Sequence, residues 1–362
     1  MAITDGLLSW WNCNEITGNT IYDTINNVDG TIEDTTHTTH VAGKIYNGLD
    51  FDGAEYGVQL GNNYDFEKNE SWTWSFWLKQ DNAALLDTDC AIIICESHQP
   101  SFTERWGYVF YLSSTDRKNI SVYLYHNASP STFRMIEAGT YEYITGNTWH
   151  NVIITYNGNS SYTGLKIYID NVDRTAYGGN TGTLDTIVNG TNNTLRFNDY
   201  NYDGKLDEIG VWDRVLTSGE RSQIWNNGSG MTIVTLPIIT TNVVTNITSS
   251  GATGGGNVLN NGGDTITSRG ICWDTSTNPT TGDTYSTTTG TTGSFSINIT
   301  GLTDSTTYYV RAFAINSKGI AYGDNQSFTT ESLPSPTLVT GLTYTNSTCT
   351  GFDLQWGYSG VI

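Results

Sequence analysis

The chain has 362 residues and a formal net charge of -20 at pH 7, with 12% aromatic but only 14% charged residues. Such an acidic excess repels phosphate backbones and anionic lipids, which argues against nucleic-acid binding and against adhesion to membranes. The aromatic content excludes a disordered chain, and abundant Thr, Tyr, Asn and Gly predict strands joined by tight turns, an all-β protein.

The first residues and the cysteines indicate where the chain folds. MAITDGLLSWWNC has no basic region, long apolar run or cleavage site, so either a leader was removed or the general secretion route is not used. No segment reaches the roughly 18 apolar residues of a membrane helix, and we expect no membrane insertion. The cysteines form no CxxC pair or zinc pattern, which predicts free thiols and a reducing compartment. They are Cys13, Cys90, Cys95, Cys272 and Cys349.

Residues 6 to about 230 contain most of the aromatic-rich predicted strands. In ESWTWSFWLKQ, Trp and Phe alternate with Ser and Thr, which predicts a strand with one face in a core. WGYVFYLSS, ISVYLYHN, TWHNVIITYNG and LKIYIDNVDR repeat the pattern, and strands at this spacing favour a sandwich or a barrel. Only TSGERSQIW favours a helix, with Thr217 or Ser218 as its N-cap and Glu220 in the first turn.

The stretch DYNYDGKLDE, which begins at Asp199, looks like the start of an EF-hand calcium loop. Its twelfth position is Gly210, which has no side-chain ligand, and predicted strands rather than helices flank it. We interpret the stretch as a hairpin turn with Asp203–Gly204 at its tip. Strand alternation then points Asp207 and Glu208 to opposite faces, so that at most one of them faces inward.

Changes in composition predict the domain boundaries. We expect a first domain over residues 1–230 and a linker over 231–236. The composition changes there, in the stretch GSGMTIVTLPIITT, which contains Gly, Ser and Pro. A second sandwich is predicted over residues 237–330, followed by a linker over 331–336. Residues 337–362 are too few for an independent sandwich, so we expect an incomplete further domain and a longer protein.

In the second predicted domain, one strand carries a clear alternation. In TTYYVRAFAIN, period-two alternation points Tyr308, Val310, Ala312 and Ala314 to one face. A strand with this pattern is expected at the centre of a sandwich.

Several motifs of the first domain occur in the order seen in one family. They are GLLSWWNCNEITGNTIYDTINNVDGTI, GKIYNGLDFDGAEYGVQL, SWTWSFWLK, TWHNVIITYNG with LKIYIDNVDR, and YDGKLDEIGVWDRVLTSGERSQIW. On these motifs residues 6–230 resemble the laminin-G-like, concanavalin A-like domains of bacteria and their viruses. The resemblance implies an N-terminal jelly-roll sandwich.

A second resemblance covers the rest of the chain. GGNVLNNGGDTITSRGICWDTSTNPT and GSFSINITGLTDSTTYYVRAFAINSKGIAYG resemble fibronectin type III-like modules that are common in Bacteroidetes. Residues 337–362 look like the start of another such module. The resemblance implies a host among the Bacteroidetes, or a virus of one.

The sequence predicts no enzyme. Glucanases of the concanavalin A-like fold carry Glu-x-Asp-x-x-Glu on one strand, and this spacing is absent from the chain. The sequence also lacks a Gly-x-Ser-x-Gly elbow, a His-Glu-x-x-His zinc motif and a P-loop. His150, in TWHN, fits a strand position of the family, and we interpret it as structural.

Calcium is the one cofactor that the residues suggest. The turn YDTINNVDG gathers carboxylate and amide oxygens, which calcium prefers. The laminin-G-like resemblance implies a structural calcium at Asp23, Asp29 and Asp52. The alternative is that Asn, Asp and Gly here only form turns.

Glycan binding is the second hypothesis for the first domain. Lectins stack sugars on exposed aromatic rings and bind their hydroxyls with Asn and Asp. The candidates are Trp106, Tyr108, Tyr123 and Tyr125, each of which could instead belong to the core.

The sequence suggests three alternative functions. The first is a non-enzymatic structural or adhesion protein of a bacteriophage virion, such as a head fibre, a capsid decoration or a tail-associated protein. It would contact other virion or surface proteins, cell-surface glycans and copies of itself in a homo-oligomer. The second is a secreted adhesin of the bacterial cell surface, or the carbohydrate-binding part of a polysaccharide-degrading enzyme. The third, an enzyme in its own right, lacks residues to support it.

Overall fold

The regular structure of this protein is almost entirely β-strand, which confirms the predicted all-β class. The computed structural model describes residues 2–81, 90–97, 107–112, 119–126, 134–139, 144–177, 193–200 and 202–334. No helix in these ranges is long and apolar enough to span a bilayer.

The strands of the first sandwich come before the longest helix of the described residues. They are β1 (Leu7–Trp11), β2 (Thr20–Ile21), β3 (Gly30–Ile32), β4 (Thr38–Ala42), β5 (Asn47–Asp52), β6 (Val58–Gly61), β7 (Ser71–Gln80), β8 (Cys90–Ser97), β9 (Gly107–Leu112), β10 (Ile120–His126), β11 (Arg134–Gly139), β12 (Trp149–Asn157), β13 (Leu165–Ile169), β14 (Val172–Asp173), β15 (Ala176–Tyr177), β16 (Asn193–Tyr200) and β17 (Asp203–Trp212). The helix, α1, spans Ser218–Trp225.

These strands form two antiparallel sheets. The β7 sheet has the order β14-β13-β12-β7-β17-β5-β4, with β1 also paired to β17. The β9 sheet has the order β15-β11-β10-β9-β8-β16-β6-β3-β2. The predicted hairpin of TWHNVIITYNG and LKIYIDNVDR is present as the antiparallel pair β12 and β13.

Aromatic side chains fill the space between the two sheets. Trp72, Trp74 and Phe76 of β7 point into this core, where all are at most 1% exposed. Trp74 stacks on Trp11 of β1 with ring centroids 6.3 Å apart and planes 5° from parallel. Each such side chain contributes roughly 1.5–3 kcal/mol when it is buried.

The opposite face of β7 is also buried, although the sequence predicted only one face in a core. Thr73, Ser75 and Trp77 are no more than 1% exposed. An outer cluster packs on this side of the sheet, with Leu216 before α1 and Ile224 within it among its members. The sequence did not predict this layer, because Thr and Ser at alternate positions of a strand usually indicate a face exposed to solvent.

Helix α1 begins where the sequence predicted. Thr217 is the N-cap, and its hydroxyl accepts a hydrogen bond from the backbone N–H of Glu220, while the Glu220 carboxylate accepts one from the N–H of Thr217. This reciprocal pair satisfies two donors that a helix start otherwise leaves unpaired. Asn226 ends the helix in the left-handed conformation, with a φ of 47°.

The predicted hairpin tip at Asp203–Gly204 is wrong. Strand β16 belongs to the β9 sheet and β17 to the β7 sheet, so the segment between them crosses from one sheet to the other. Asp203 and Gly204 lie within β17, opposite Asp52 and Phe51 of β5. The Asp-Gly pair predicts a tight turn from local preference, and the pairing with β5 overrides it.

A second, smaller sandwich follows the first. Its strands are β18 (Ile238–Thr241), β19 (Gly251–Asn260), β20 (Ser268–Asp274), β21 (Thr284–Thr288), β22 (Gly293–Thr300), β23 (Thr307–Asn316), β24 (Gly319–Tyr322) and β25 (Gln326–Thr329). One sheet has the order β18-β19-β22 and the other β21-β20-β23-β24, with β25 also paired to β23.

The core of the second sandwich matches the predicted alternation of β23. Val310, Ala312 and Ala314 are buried in it, and Tyr308 packs against it. The fibronectin-like assignment stays a prediction. The predicted further domain over residues 337–362 lies outside the described residues.

Candidate functional site

Asp23, the first predicted calcium ligand, organises the loop between β2 and β3 and ties it to β1. One carboxylate oxygen accepts hydrogen bonds from the N–H groups of Trp10 and Ile25, each at 3.0 Å. The other accepts from the N–H groups of Asn26 and Val28, each at 3.1 Å, and from the Ser9 hydroxyl. Oxygens occupied by so many donors are poorly placed to coordinate a cation as well, so the geometry favours the turn interpretation.

The other two predicted calcium ligands contact different parts of the protein. Asp29 accepts a hydrogen bond from the N–H of Asp23, whereas Asp52 on β5 pairs with His37 at 2.8 Å. Among the described residues, no group of three or more His, Cys, Asp or Glu side chains is placed to hold a metal ion. Calcium binding at Asp23, Asp29 and Asp52 stays a prediction, and calorimetric titration after chelation tests it.

The predicted glycan-binding residues divide into three groups. Tyr108 is 1% exposed and its hydroxyl donates to the Tyr64 carbonyl, so it is a core residue and its assignment to glycan binding is wrong. Tyr123 is half-buried on the outer face of the β9 sheet, with its ring 5.3 Å from that of Tyr111. Trp106 and the side chain of Tyr125 lie outside the described residues.

A bulge in β17 places two acidic side chains on the same side of the β7 sheet. Glu208 and Ile209 lie opposite the single residue Phe76, and Glu208 has a φ of 47°. Both side chains are buried on the outer side of this sheet, at 0% and 1% exposure, so the prediction that they point to opposite faces is wrong. The extra residue breaks the alternation on which that prediction depended.

Each of these two carboxylates has a specific partner. Asp207 accepts a hydrogen bond from the N–H of Ile45 at 2.8 Å, and Glu208 accepts one from the indole of Trp10 at 2.7 Å. Burial raises the pKa of Asp207 well above its usual value. Burial, and then the charge of Asp207, raises the pKa of Glu208 in the same way.

A buried polar network joins the two sandwiches near these carboxylates. The side-chain amide of Asn260, at the end of β19, donates to the Asn12 side chain at 2.8 Å and to the Glu15 carboxylate at 2.9 Å. Asn12 and Asn260 are fully buried. We call these residues the junction, together with Asn14, whose amide donates to the Asn261 side chain at 3.4 Å.

Glu15 is the titratable group of the junction. Burial raises its pKa to about 7, although hydrogen bonds from Asn260 and from the N–H of Tyr22 oppose that shift. Its second carboxylate oxygen is buried and has no hydrogen-bond partner among the residues that the structure describes, so the ionised form is poorly compensated.

Two grooves flank the junction, and the exposed side chain of Ile16 lines both of them. The Tyr46 groove has a volume of about 260 Å³, and its walls include Asn14, Tyr46, Asn47, Asn261, Thr291 and Thr292. The Tyr22 groove, also of about 260 Å³, has walls that include Glu15, Asn19, Tyr22, Asn257 and Gly293. Both grooves are lined by the first and second sandwiches together.

The sequence did not single out the junction or the grooves. Asn12, Asn14 and Glu15 follow the apolar strand β1, whereas Asn260 is the last residue of β19 and Asn261 follows it. The one available signal in the sequence was a run of polar residues directly after a buried strand. The residues that bind this run lie about 245 positions away in the chain, so a local pattern does not reveal them.

His150 has the structural role that the sequence predicted. Its Nε2 accepts a hydrogen bond from the N–H of Thr145 at 3.2 Å, and its Nδ1 faces the carboxylate of Asp170 at 2.8 Å. These two contacts fix the tautomer and tie the start of β12 to the turn after β13.

The first sandwich matches a known family. Residues 52–220 match the sequence model of Laminin_G_3, described as the concanavalin A-like lectin/glucanases superfamily. With its two packed antiparallel sheets, this part of the chain has a concanavalin A-like lectin fold. A comparison with curated proteins gave no match.

Solved structures that resemble the chain do so at low identity. The metal-free carbohydrate recognition domain of Emp46p is 11% identical over 57% of this chain and 99% of that one, with a TM-score of 0.32. Tailspike protein 2 of the Escherichia coli O157:H7 bacteriophage CAB120 is 10% identical over 55% of this chain and 27% of that one, with a TM-score of 0.36. The sensor domain of the anti-sigma factor RsgI4 of Pseudobacteroides cellulosolvens is 18% identical over 28% of this chain and 99% of that one, with a TM-score of 0.21. At these values the likeness carries no conclusion about function.

Proposed function

We propose that this protein is a non-enzymatic adhesion protein of a bacteriophage virion whose concanavalin A-like domain binds carbohydrate on a cell surface. The observation that supports adhesion is the junction, because its buried amides fix the two sandwiches to each other around grooves rich in amide and hydroxyl groups. A fixed pair of modules transmits attachment better than two modules on a loose tether.

The buried thiols support assembly in a host cytosol. Among the described residues, Cys13 and Cys272 are free thiols and both are buried. Free thiols are typical of proteins that fold in a reducing compartment, where virion components are made. A head fibre, a capsid decoration and a tail-associated protein are all compatible with this proposal.

Carbohydrate binding is tested on an array of bacterial surface polysaccharides and defined oligosaccharides, probed with the fluorescently labelled full chain. We expect binding to a small group of related glycans that the same soluble glycan competes away. If no glycan is bound above background, the carbohydrate half of the proposal is wrong.

The location is tested separately by mass spectrometry of density-purified virions from a phage that encodes this chain. We expect its peptides at a stoichiometry like that of other structural proteins. Their absence from intact particles would favour the secreted adhesin instead.

A further inference from the structure

The first wall of the Tyr46 groove is a short turn that is held in place by hydrogen bonds to buried side chains. The turn between β4 and β5 closes with a hydrogen bond from the N–H of Gly43 to the carbonyl of Tyr46, at 3.0 Å. The Asp207 carboxylate accepts the N–H of Ile45, and the Asn14 side chain accepts the N–H of Asn47. Tyr46 itself has a φ of 60° and is 51% exposed, so the turn presents its ring to solvent at the groove.

The second wall is a loop that one buried arginine fixes. Arg269, 8% exposed, donates from its guanidinium to the carbonyls of Thr291 at 2.9 Å and Gly293 at 3.0 Å. It also donates to the carbonyl of Thr289 at 3.1 Å and lies over the Phe295 ring at 4.9 Å. A loop with this many charge-assisted hydrogen bonds is ordered before any ligand arrives.

The chemistry of the groove suits a neutral ligand rich in hydroxyl groups. Side-chain amides line it. Some of their atoms are engaged within the protein, since Asn14 donates to Asn261 and Asn47 donates to the Asn14 carbonyl, and the remaining amide and threonine hydroxyl groups can donate or accept hydrogen bonds. None of the described residues that line it is charged. The exposed face of Tyr46 provides an apolar surface of the kind on which a sugar ring packs.

The size of the groove limits the ligand. Its volume of about 260 Å³ is close to the lower end of the roughly 300–1,000 Å³ that small-molecule pockets occupy. A short saccharide therefore fits better than a folded partner. Clefts between domains are also a preferred place for such sites.

We propose that the Tyr46 groove is a saccharide-binding site to which both sandwiches contribute. Tyr46 and Asn47 form the wall from the first sandwich, and Asn261, Thr291 and Thr292 form the wall from the second. Asp207 and Arg269 act as positioning residues that hold the two walls. This inference depends on the carbohydrate binding proposed above and names the site for it.

The test uses the full chain and the oligosaccharide that binds best on the array, titrated by calorimetry. Tyr46→Asn removes the ring and suits the positive φ, while Tyr46→Phe retains the ring. Thr291→Val removes a hydroxyl from the opposite wall. We expect Tyr46→Asn to weaken the Kd about tenfold, Thr291→Val to weaken it about threefold, and Tyr46→Phe to change it by less than about twofold.

The matched control is Tyr285→Asn, because Tyr285 is also exposed, at 53%, and lies on β21 outside the groove. It should leave the Kd unchanged. If the wild type binds an oligosaccharide and Tyr46→Asn binds it equally well, the groove assignment is wrong while the proposed function stands. If Tyr123→Ala weakens binding instead, the site lies on the outer face of the β9 sheet. A wild type that binds no oligosaccharide overturns both the groove assignment and the carbohydrate half of the proposed function.

Discussion

Asp23 shows how one carboxylate can define a loop. Its two oxygens accept four backbone N–H groups and the Ser9 hydroxyl. The same residue types in the same spacing predicted a calcium site, since oxygens that attract N–H groups also attract cations.

Asp23→Asn should lower the free energy of unfolding by about 1–3 kcal/mol, because an amide NH₂ would then face donors and leave them unsatisfied. Urea denaturation at pH 7 measures this change. Asp52→Asn is the control, since the Asp52 side chain is 54% exposed and its loss should cost less than about 1 kcal/mol. If the two substitutions lower the free energy of unfolding equally, the Asp23 carboxylate does not stabilise the loop through these hydrogen bonds.

Glu15 makes stability depend on pH in the near-neutral range. Its pKa rises in the folded protein, to about 7, so the folded state retains a proton that the unfolded state releases near pH 4.5. Stability is therefore highest below pH 4.5 with respect to this group, and it falls as pH rises towards 7.

Glu15→Gln should remove this dependence. At about 1.4 kcal/mol per pKa unit, the wild type should lose about 3 kcal/mol between pH 4.5 and 8 through this group alone. The difference in urea midpoint between Glu15→Gln and the wild type should therefore grow with pH. A difference that is constant from pH 4.5 to 8 would rule out Glu15 as the titrating group.

At the scale of the element, α1 depends on its first turn. Arg214 donates two hydrogen bonds to Glu220, at 2.9 and 2.8 Å, and the guanidinium lowers the pKa of that carboxyl to about 2. Here the folded pKa lies below the unfolded one. The stabilisation is present above pH 4.5 and is lost as pH falls towards 2.

Glu220→Gln should reduce stability at pH 7 by about 1–2 kcal/mol, through a weaker cap and a lost ion pair, and the deficit should shrink as the solution becomes acidic. Circular dichroism during urea titration at pH 7 and pH 3 measures both values. Glu331→Gln, at an exposed position after β25, is the control and should not differ from the wild type at either pH. A Glu220→Gln deficit that is equal at both pH values would contradict the ion pair.

Several elements could be predicted from the sequence, for local reasons. The alternation of β7, the β12–β13 pair and the Thr217 cap depend on residues close together in the chain. The bulge at Glu208 could not be predicted, because alternation assumes regular pairing with β7. Tyr108 was misassigned because alternation identifies two faces of a strand without saying which one a second sheet covers.

At the scale of the whole molecule, the junction couples the two sandwiches. Asn260 lies at its centre, with both its donor hydrogens directed at residues of the first sandwich. Such contacts depend on how the two domains dock, which no local pattern predicts, and they explain why this candidate site was missed.

Asn260→Ala should uncouple the sandwiches. It leaves the Asn12 and Glu15 oxygens buried without their donor, so in calorimetry we expect the wild-type transition to broaden or split into two. Asn298→Ala, which changes an exposed asparagine of β22, should leave the transition as it is. If both variants melt like the wild type, the junction does not couple the domains.

The buried tryptophans also have an optical consequence. Six tryptophans are buried in the first domain, whereas Trp273 is the one tryptophan of residues 237–330. The six are Trp10, Trp11, Trp72, Trp74, Trp77 and Trp212. In a protein that carries both Trp273→Phe and Trp356→Phe, ultraviolet emission would therefore follow the first sandwich separately from the second. Trp10 donates its indole hydrogen to Glu208, so part of that emission should also change when this buried carboxyl gains or loses its proton. The emission of Trp10 would then report on the bulge in β17 without any added label.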